Sequence, residues 1–196
     1  MADMTAKGRE TAGFKVGLTT PRMQEMCGLD QPIGGAVFAD AVESSPALVS
    51  LSRYGRLGIE FEICVQVAKA VEPAGEPYDR SSIADFVSEI APAFELIDDR
   101  NADYDNLDIH SLIADNSWNA GVILGAMKAY SGDLAALAGR LYLDGDEIDQ
   151  GLGADVLGHP LESLAWLANN LIARGKQLHA GDLVMTGSLI PTRFPK

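Results

Sequence analysis

Residues 56–68 read RLGIEFEICVQVA, and the alternation inside that run decides the fold class. Successive side chains of a β-strand point to opposite faces, so Leu57, Ile59, Phe61, Ile63, Val65 and Val67 share one face and enter one core. Glu60, Glu62 and Gln66 share the other. Two carboxylates so placed are about 6.5 Å apart, close enough to repel and close enough to bind one cation together. A wetted face of an antiparallel sheet is the ordinary explanation of such alternation. Glu is nevertheless a poor strand former, and two on one strand are unusual.

Outward from this run the chain is mostly strand-like: GFKVGLT (13–19), PAFELID (92–98), AGVILGAMKAY (120–130), RLYLDGDEID (140–149) and DLVMTGSL (182–189). Asp144-Gly145 is a two-residue hairpin signal. In SSIADFVSEI (81–90), Ser82 stands three residues before Asp85, a capping-box spacing that predicts a short helix. A longer helix is predicted from Pro160, with Leu161, Leu164, Leu167, Ala168, Leu171 and Ile172 at helical spacing and Gly175 as its stop. Strand and helix alternate too irregularly for a doubly wound sheet. The expected fold is α+β, mainly β and mainly antiparallel, with a few covering helices, in one domain spanning 1–196.

Composition excludes several partners. Fifteen Lys and Arg against 28 Asp and Glu give a formal net charge of −13, which argues against nucleic acid and against an anionic membrane surface. An anionic substrate would therefore need a local cation, either a metal or a buried lysine. Cys27 and Cys64 lie far apart without a CxxC pair, so neither a disulfide framework nor a structural zinc site is indicated. The N-terminus has no apolar signal core and no stretch is long and apolar enough to span a bilayer, so a cytoplasmic protein is expected.

Familiar chemistries are missing: there is no GxGxxG, GxxxxGK[ST], GxSxG or HExxH. His110 and His179 read as loop residues, and His159, before Pro160, reads as part of a helix entrance. Glu95, between Phe94 and Leu96, is a third acid among apolar neighbours. Glu60, Glu62 and Glu95 are either three separate solvated acids or, if they converge, a site of oxygen ligands for Mg²⁺ or Mn²⁺.

Five segments in order, GFKVGLTTPRMQEMCGLDQPIGGAVFADAV (13–42), GIEFEICVQVA (58–68), APAFELIDDR (91–100), IADNSWNAGVILG (113–125) and GHPLESLAWLANNLIARGKQLHAGDLVMTGSL (158–189), resemble the 2-keto-4-pentenoate hydratase and 4-oxalocrotonate decarboxylase branch of the fumarylacetoacetate hydrolase superfamily. The resemblance implies a mixed β-roll with the active site in its mouth. It also implies a divalent cation, Mg²⁺ or Mn²⁺, held by Glu60, Glu62 and Glu95. Lys15 falls on the family's active-site lysine and Asp40 on an acid of the same pocket, which makes them the expected acid/base residues. Asn116, Ser117 and Ser188 fall on substrate-contacting positions, with the amides of the TGSL turn facing a substrate carboxylate. Trp118 departs from the small residue expected there. The chain also lacks the family's N-terminal helical segment and a strand after TGSL, so an unpaired edge is expected.

The activity implied is addition of water to a 2-hydroxydienoate, giving a 4-hydroxy-2-oxo acid of aromatic catabolism, by a homo-oligomer acting on a small 2-oxo acid. The alternatives are decarboxylation of a 2-oxo-3-hexenedioate (4-oxalocrotonate) and a non-catalytic partner subunit of the same fold. A far pocket wall of Leu18, Phe38, Ile113, Trp118, Leu189 and Ile190 favours a monocarboxylate, because a second carboxylate buried there would be unpaired. Arg22 and Arg100 are the nearby cations that would change this.

Overall fold

The computed structural model describes residues 8–195. Its framework is one sheet of eight strands: β1 (Thr11–Gly17), β2 (Ile33–Phe38), β3 (Val42–Ser44), β4 (Leu57–Val67), β5 (Val87–Asp98), β6 (Asn119–Leu124), β7 (Lys128–Ala129) and, after a separate hairpin of β8 (Ala138–Leu143) and β9 (Asp146–Leu152), β10 (Leu183–Ser188). The order is β2-β1-β10-β4-β5-β6-β3, with β7 added beside β5. The β1–β10 and β3–β6 pairs are parallel and the rest antiparallel, so the sheet is mixed and mainly antiparallel as its patterning implied. It curls into a half-barrel.

Both faces of β4 are covered, which overturns the wetted-face reading of its even positions. On the outer face Val65 and Val67 join Val16 and Val184 against helix α4 (Pro160–Ile172), whose Leu161, Leu164, Leu167 and Leu171 are buried. Full burial of each such leucine contributes about 1.5–3 kcal/mol. Ile63 packs with Leu141 of β8 and with Leu189 and Ile190. On the inner face Cys64 packs with Val37, Ala93, Val122, Leu183 and Met185. Glu60 and Glu62 project into this same interior, because two residues advance the strand without changing its face.

The long helix begins as expected: His159 caps it, its Nδ1 accepting from the Leu161 N–H at 3.0 Å, while Gly175 at φ +67° ends the turn that follows. The segment at 81–90 differs from the prediction. Helix α2 covers only Arg80–Ile83, and its cap is Asp79 in a reciprocal box with Ser82. From Val87 the chain is already β5, paired with β4 through Asp98. Long-range pairing with an eleven-residue strand outweighs a local helix preference of tenths of a kcal/mol per residue. AGVILGAMKAY is likewise two strands, β6 and β7, separated at Gly125, which approaches Pro92 too closely for a side chain. The strand β2 carried no clear alternation because Gly34 and Gly35 interrupt it.

Two short helices, α1 (Pro21–Met26) and α3 (Ile109–Ala114), stand beside the open end of the roll. Among the described residues no helix is long and apolar enough to cross a membrane.

Candidate active site and metal centre

Antiparallel register brings the acids together. Glu60 on β4 lies directly opposite Glu95 on β5, and Glu62 lies opposite Ala93 and, on its other side, Ser188 of β10. Each of the three glutamates offers a carboxylate oxygen, and these oxygens all lie within 4.8 Å of one another. Glu62 and Glu95 are buried, while Glu60 is half-buried and faces the cavity.

Each carboxylate accepts a hydrogen bond from a defined donor. The Gly187 N–H donates to Glu62 Oε2 at 2.8 Å, Asn119 Nδ2 donates to Glu95 Oε1 at 2.8 Å, and the Thr192 hydroxyl donates to Glu60 Oε1 at 2.5 Å. Lys15, buried on β1, places Nζ 3.3 Å from Glu95 Oε1 and 3.4 Å from the Ser117 carbonyl oxygen. Room for its chain exists because Gly35 has no side chain: a Cβ there would stand 3.2 Å from Lys15 Cε.

Burial, followed by repulsion from Glu95, raises the Glu60 carboxyl above its ordinary range. Burial followed by the charges of Glu95 and Glu60 raises Glu62 further. The protein alone leaves this cluster under-compensated. Glu62 Oε1 and Glu95 Oε2 are buried without a hydrogen-bond partner among the described residues. A bound divalent cation would offset the mutual repulsion of the three carboxylates, and an all-oxygen donor set suits Mg²⁺, Mn²⁺ or Ca²⁺. The residues therefore fit a hard divalent metal, with two orphaned oxygens available to it.

Around this cluster the mouth of the roll holds two adjoining chambers. The smaller, about 90 Å³, is bounded by Lys15, Glu60, Tyr104, Ser117, Trp118 and Thr192 together with apolar residues from α1 and α3. The larger, about 640 Å³, adds Arg22, Gln150, Asp155, Ser188, Leu189 and Ile190, and both share Gly17, Leu18, Met23, Met26, Glu60 and Thr192. The backbone is strained on the wall of the smaller one. Asn116, Ser117 and Trp118 are consecutive non-glycine residues at φ 55°, 51° and 62°, and Leu18 is at φ 56°. Each such residue costs about 1–3 kcal/mol, and strain of this kind concentrates where function fixes geometry. It turns the Ser117 carbonyl toward Lys15 and leaves the buried Ser117 hydroxyl without a partner.

Lys15, Glu60, Glu62, Glu95 and Ser117 are thus brought together; the remaining sequence candidates take other positions. Asp40 sits on an exposed turn, ion-paired to Arg9, in a separate depression with Glu43 and Arg53, because the chain turns outward after β2. Asn116 has its amide committed: Oδ1 accepts from the Ala36 N–H at 2.7 Å and Nδ2 donates to the Ala36 carbonyl at 2.8 Å, pairing with the edge of β2 as a strand residue does. Ser188 borders the larger chamber and donates to the Ile190 carbonyl at 2.7 Å. The Gly187 amide meets an anion, but the anion is Glu62. Of the apolar wall, Leu18, Trp118, Leu189 and Ile190 line the chambers. Phe38 is buried under the Arg9 guanidinium, and Ile113 faces a different depression. Arg100 is ion-paired with Asp115, whereas Arg22 borders the larger chamber.

Asn119 and Thr192 were not visible as site residues. Asn119 lies inside the matched segment IADNSWNAGVILG but carries no pattern of its own, and Thr192 lies in IPTRFPK, a stretch with no periodicity.

No family model matches the chain. It is 34% identical over 189 residues to a 2-keto-4-pentenoate hydratase of Burkholderia vietnamiensis, covering 94% of this chain and 70% of that protein. The chain belongs to the 2-keto-4-pentenoate hydratase family. It is also 34% identical over 199 residues to a 2-oxo-hept-4-ene-1,7-dioate hydratase of Escherichia coli, covering 96% of this chain and 73% of that one. The structure of 4-oxalocrotonate decarboxylase from Pseudomonas putida G7, complexed with magnesium and adipate, superposes with a TM-score of 0.90 at 30% identity, over 99% of this chain and 73% of that one. The hydratase family thus shares its β-roll with a decarboxylase, and the reaction must be argued from side chains.

Proposed function

We propose that this family member is a hydro-lyase adding water to a 2-hydroxydienoate of the 2-keto-4-pentenoate type, giving a 4-hydroxy-2-oxo acid, with a divalent metal held by Glu60, Glu62 and Glu95. The observation that carries the reading is the convergence of three carboxylates, two bearing orphaned oxygens, on one buried lysine in the mouth of the roll. A cation bound there supplies Lewis acidity toward the substrate's carboxylate and 2-oxygen.

The chain's own residues do the rest. Lys15 is the general acid/base, held at fixed distance by Glu95 and the Ser117 carbonyl, so its Nζ needs no reorganisation to exchange a proton with the substrate's carbon chain. The proton leaving the 2-hydroxyl and the proton gained at C5 convert the dienol to an α,β-unsaturated ketone. Water then adds across C3 and C4, its oxygen bonding to C4. The free Ser117 hydroxyl is positioned to contact substrate beside Lys15, and Ser188 contacts it from the larger chamber. Leu18 and Trp118 exclude bulk water from the chamber that holds Lys15. Asp40, turned outward, leaves ordered water as Lys15's proton partner.

Mg²⁺ or Mn²⁺ as the working ion, a cytoplasmic location and self-association are parts of the same proposal. The test is incubation of the Mn²⁺-loaded protein with 2-hydroxypenta-2,4-dienoate, followed by proton NMR. Appearance of 4-hydroxy-2-oxopentanoate is the expected result. Release of CO₂ from 4-oxalocrotonate without hydration of the pentadienoate overturns it in favour of the decarboxylase.

A further inference from the structure

The residues after β10 form a strap across the mouth of the roll. The Arg193 backbone pairs with Ile59 in both directions, at 2.7 and 2.9 Å, so the strap adds a short bridge beside β4. The Arg193 guanidinium pairs with Asp149 of β9, and the Phe194 ring lies 3.8 Å under the Arg56 guanidinium. Between these anchors Thr192 presses its methyl into the space left by Gly58, where an added Cβ would stand 2.7 Å from Thr192 Cγ2. Its hydroxyl meets Glu60 Oε1 at 2.5 Å.

Glu60 is the member of the cluster that most needs such a hold. Glu62 is fixed by a backbone amide and Glu95 by both Asn119 and Lys15, whereas Glu60 is half-buried, borders both chambers, and has the Thr192 hydroxyl as its one hydrogen-bond donor among the described residues. A glutamate free to swing into a 640 Å³ space loses rotamer entropy whenever it ligates.

We infer that Thr192 is a positioning residue for the metal centre: its hydroxyl locks the Glu60 carboxylate in the orientation in which Glu60 ligates together with Glu62 and Glu95. The inference rests on the metal reading given above. It adds that metal affinity depends on a residue of the strap that is itself no ligand. Outer hydrogen bonds to metal ligands are typically worth about 10–100-fold in affinity.

Valine has threonine's shape, so Thr192→Val keeps the methyl against Gly58 and removes the hydrogen bond alone. Titration calorimetry of the full chain with Mn²⁺ is the readout, with Thr192→Ser as the rescue variant and thermal melting as a check on folding. Thr192→Val is expected to bind Mn²⁺ at least about tenfold more weakly at an unchanged metal-free melting temperature, and Thr192→Ser to return to within about threefold of wild type. Equal affinity in Thr192→Val and wild type overturns the inference while leaving the metal site intact. Tighter binding in Thr192→Val overturns it too, by showing that the hydroxyl competes with the ion. If Thr192→Val melts lower, the affinity of Thr192→Ser decides: weak binding there shows a merely structural strap. Absence of Mn²⁺ binding by wild type removes the metal reading and this inference together.

Discussion

Glu60 and Glu95 are register partners on adjacent antiparallel strands, with Glu62 two residues further along the same face of β4. Like charges directly opposite one another destabilise a sheet pair, and here a third carboxylate and burial compound the repulsion. The arrangement is costly for the chain alone and suited to a cation. Glu62→Gln keeps the shape and the acceptor for the Gly187 amide while removing one charge. It is expected to abolish Mn²⁺ binding in calorimetry and to raise the midpoint of denaturant unfolding of the metal-free fold, because one buried like charge is removed. A variant that binds Mn²⁺ like wild type would remove Glu62 from the ligand set.

The same pair predicts a pH dependence. Glu60 and Glu62 are raised above their usual 4.5 in the metal-free fold by burial and by each other's company with Glu95. Above about pH 4.5 the native state then holds more protons than the unfolded chain, so this contribution to stability is present at low pH and declines as pH rises through the folded values. The exposed Asp79, Asp103 and Asp108, lowered by local hydrogen bonds, act in the opposite sense at more acid pH. The measurable quantity is therefore a difference: the melting temperature of metal-free Glu62→Gln minus that of wild type should widen from pH 5 to pH 8. Saturating Mn²⁺ should stabilise wild type more at pH 8 than at pH 5, since protons compete for the ligands. A difference that stays flat across this range would show that the cluster is not raised.

How much of this was legible in the sequence follows from the range of the interactions. The alternation of β4 and β5 announced two strands and the spacing of Leu161 to Leu171 announced the long helix, because those signals are local. Whether the Glu face was wet was undecidable from RLGIEFEICVQVA, since the same period serves an open sheet and the lining of a roll. The resemblance to a known family supplied what local pattern lacked, assigning Lys15 and Glu95 to one active site although eighty positions separate them; the structure puts Lys15 Nζ 3.3 Å from Glu95 Oε1. Of the residues it assigned to the pocket, Asp40 is ion-paired with Arg9 on the surface and the Asn116 amide is hydrogen-bonded to Ala36, contacts that no local pattern announces. Thr192 escaped notice because a strap held by single contacts leaves no periodic trace.

Lys15→Met tests the chemical step. The variant keeps the three carboxylates, so it should bind Mn²⁺ at least as tightly as wild type, while turnover of 2-hydroxypenta-2,4-dienoate falls by a factor on the order of 10² or more. Its metal-free form should melt lower, because Glu95 loses a buried ionic partner. Turnover within a few-fold of wild type would take the acid/base role away from Lys15.

Gly187 tests the support of the ligand set. At φ +116° it occupies a region L residues avoid, and an added Cβ would stand 2.5 Å from the Thr19 side chain. Gly187→Ala should destabilise the fold by about 1–3 kcal/mol and weaken Mn²⁺ binding, since the amide holding Glu62 must shift. Chemical denaturation and calorimetry read the two effects separately. An unchanged midpoint would mean that β10 can move away from Thr19 without cost.

Substrate size is decided by the chamber that contains Lys15. Its volume is about 90 Å³ and its wall carries Leu18, Ile33, Ile97, Leu107, Leu112 and Trp118, with Lys15 the one cationic side chain among the described residues that line it. A short vinyl or methyl-terminated chain suits such a wall, whereas a second carboxylate pressed against it would lie unpaired at a cost of several kcal/mol. A longer dioate avoids that cost only by extending past Thr192 into the larger chamber, where Arg22 is the one cationic side chain among the described residues of the wall and Asp155 lines the same chamber. The monocarboxylate is therefore expected to be the better substrate, with kcat/KM for 2-hydroxypenta-2,4-dienoate exceeding that for 2-oxo-hept-4-ene-1,7-dioate by about tenfold or more, the worth of roughly 1.4 kcal/mol of differential binding. Competition between the two in one tube, followed by NMR, measures the ratio directly. Equal consumption, or preference for the dioate, would show that the far end of the substrate lies against Arg22 and not in the apolar chamber.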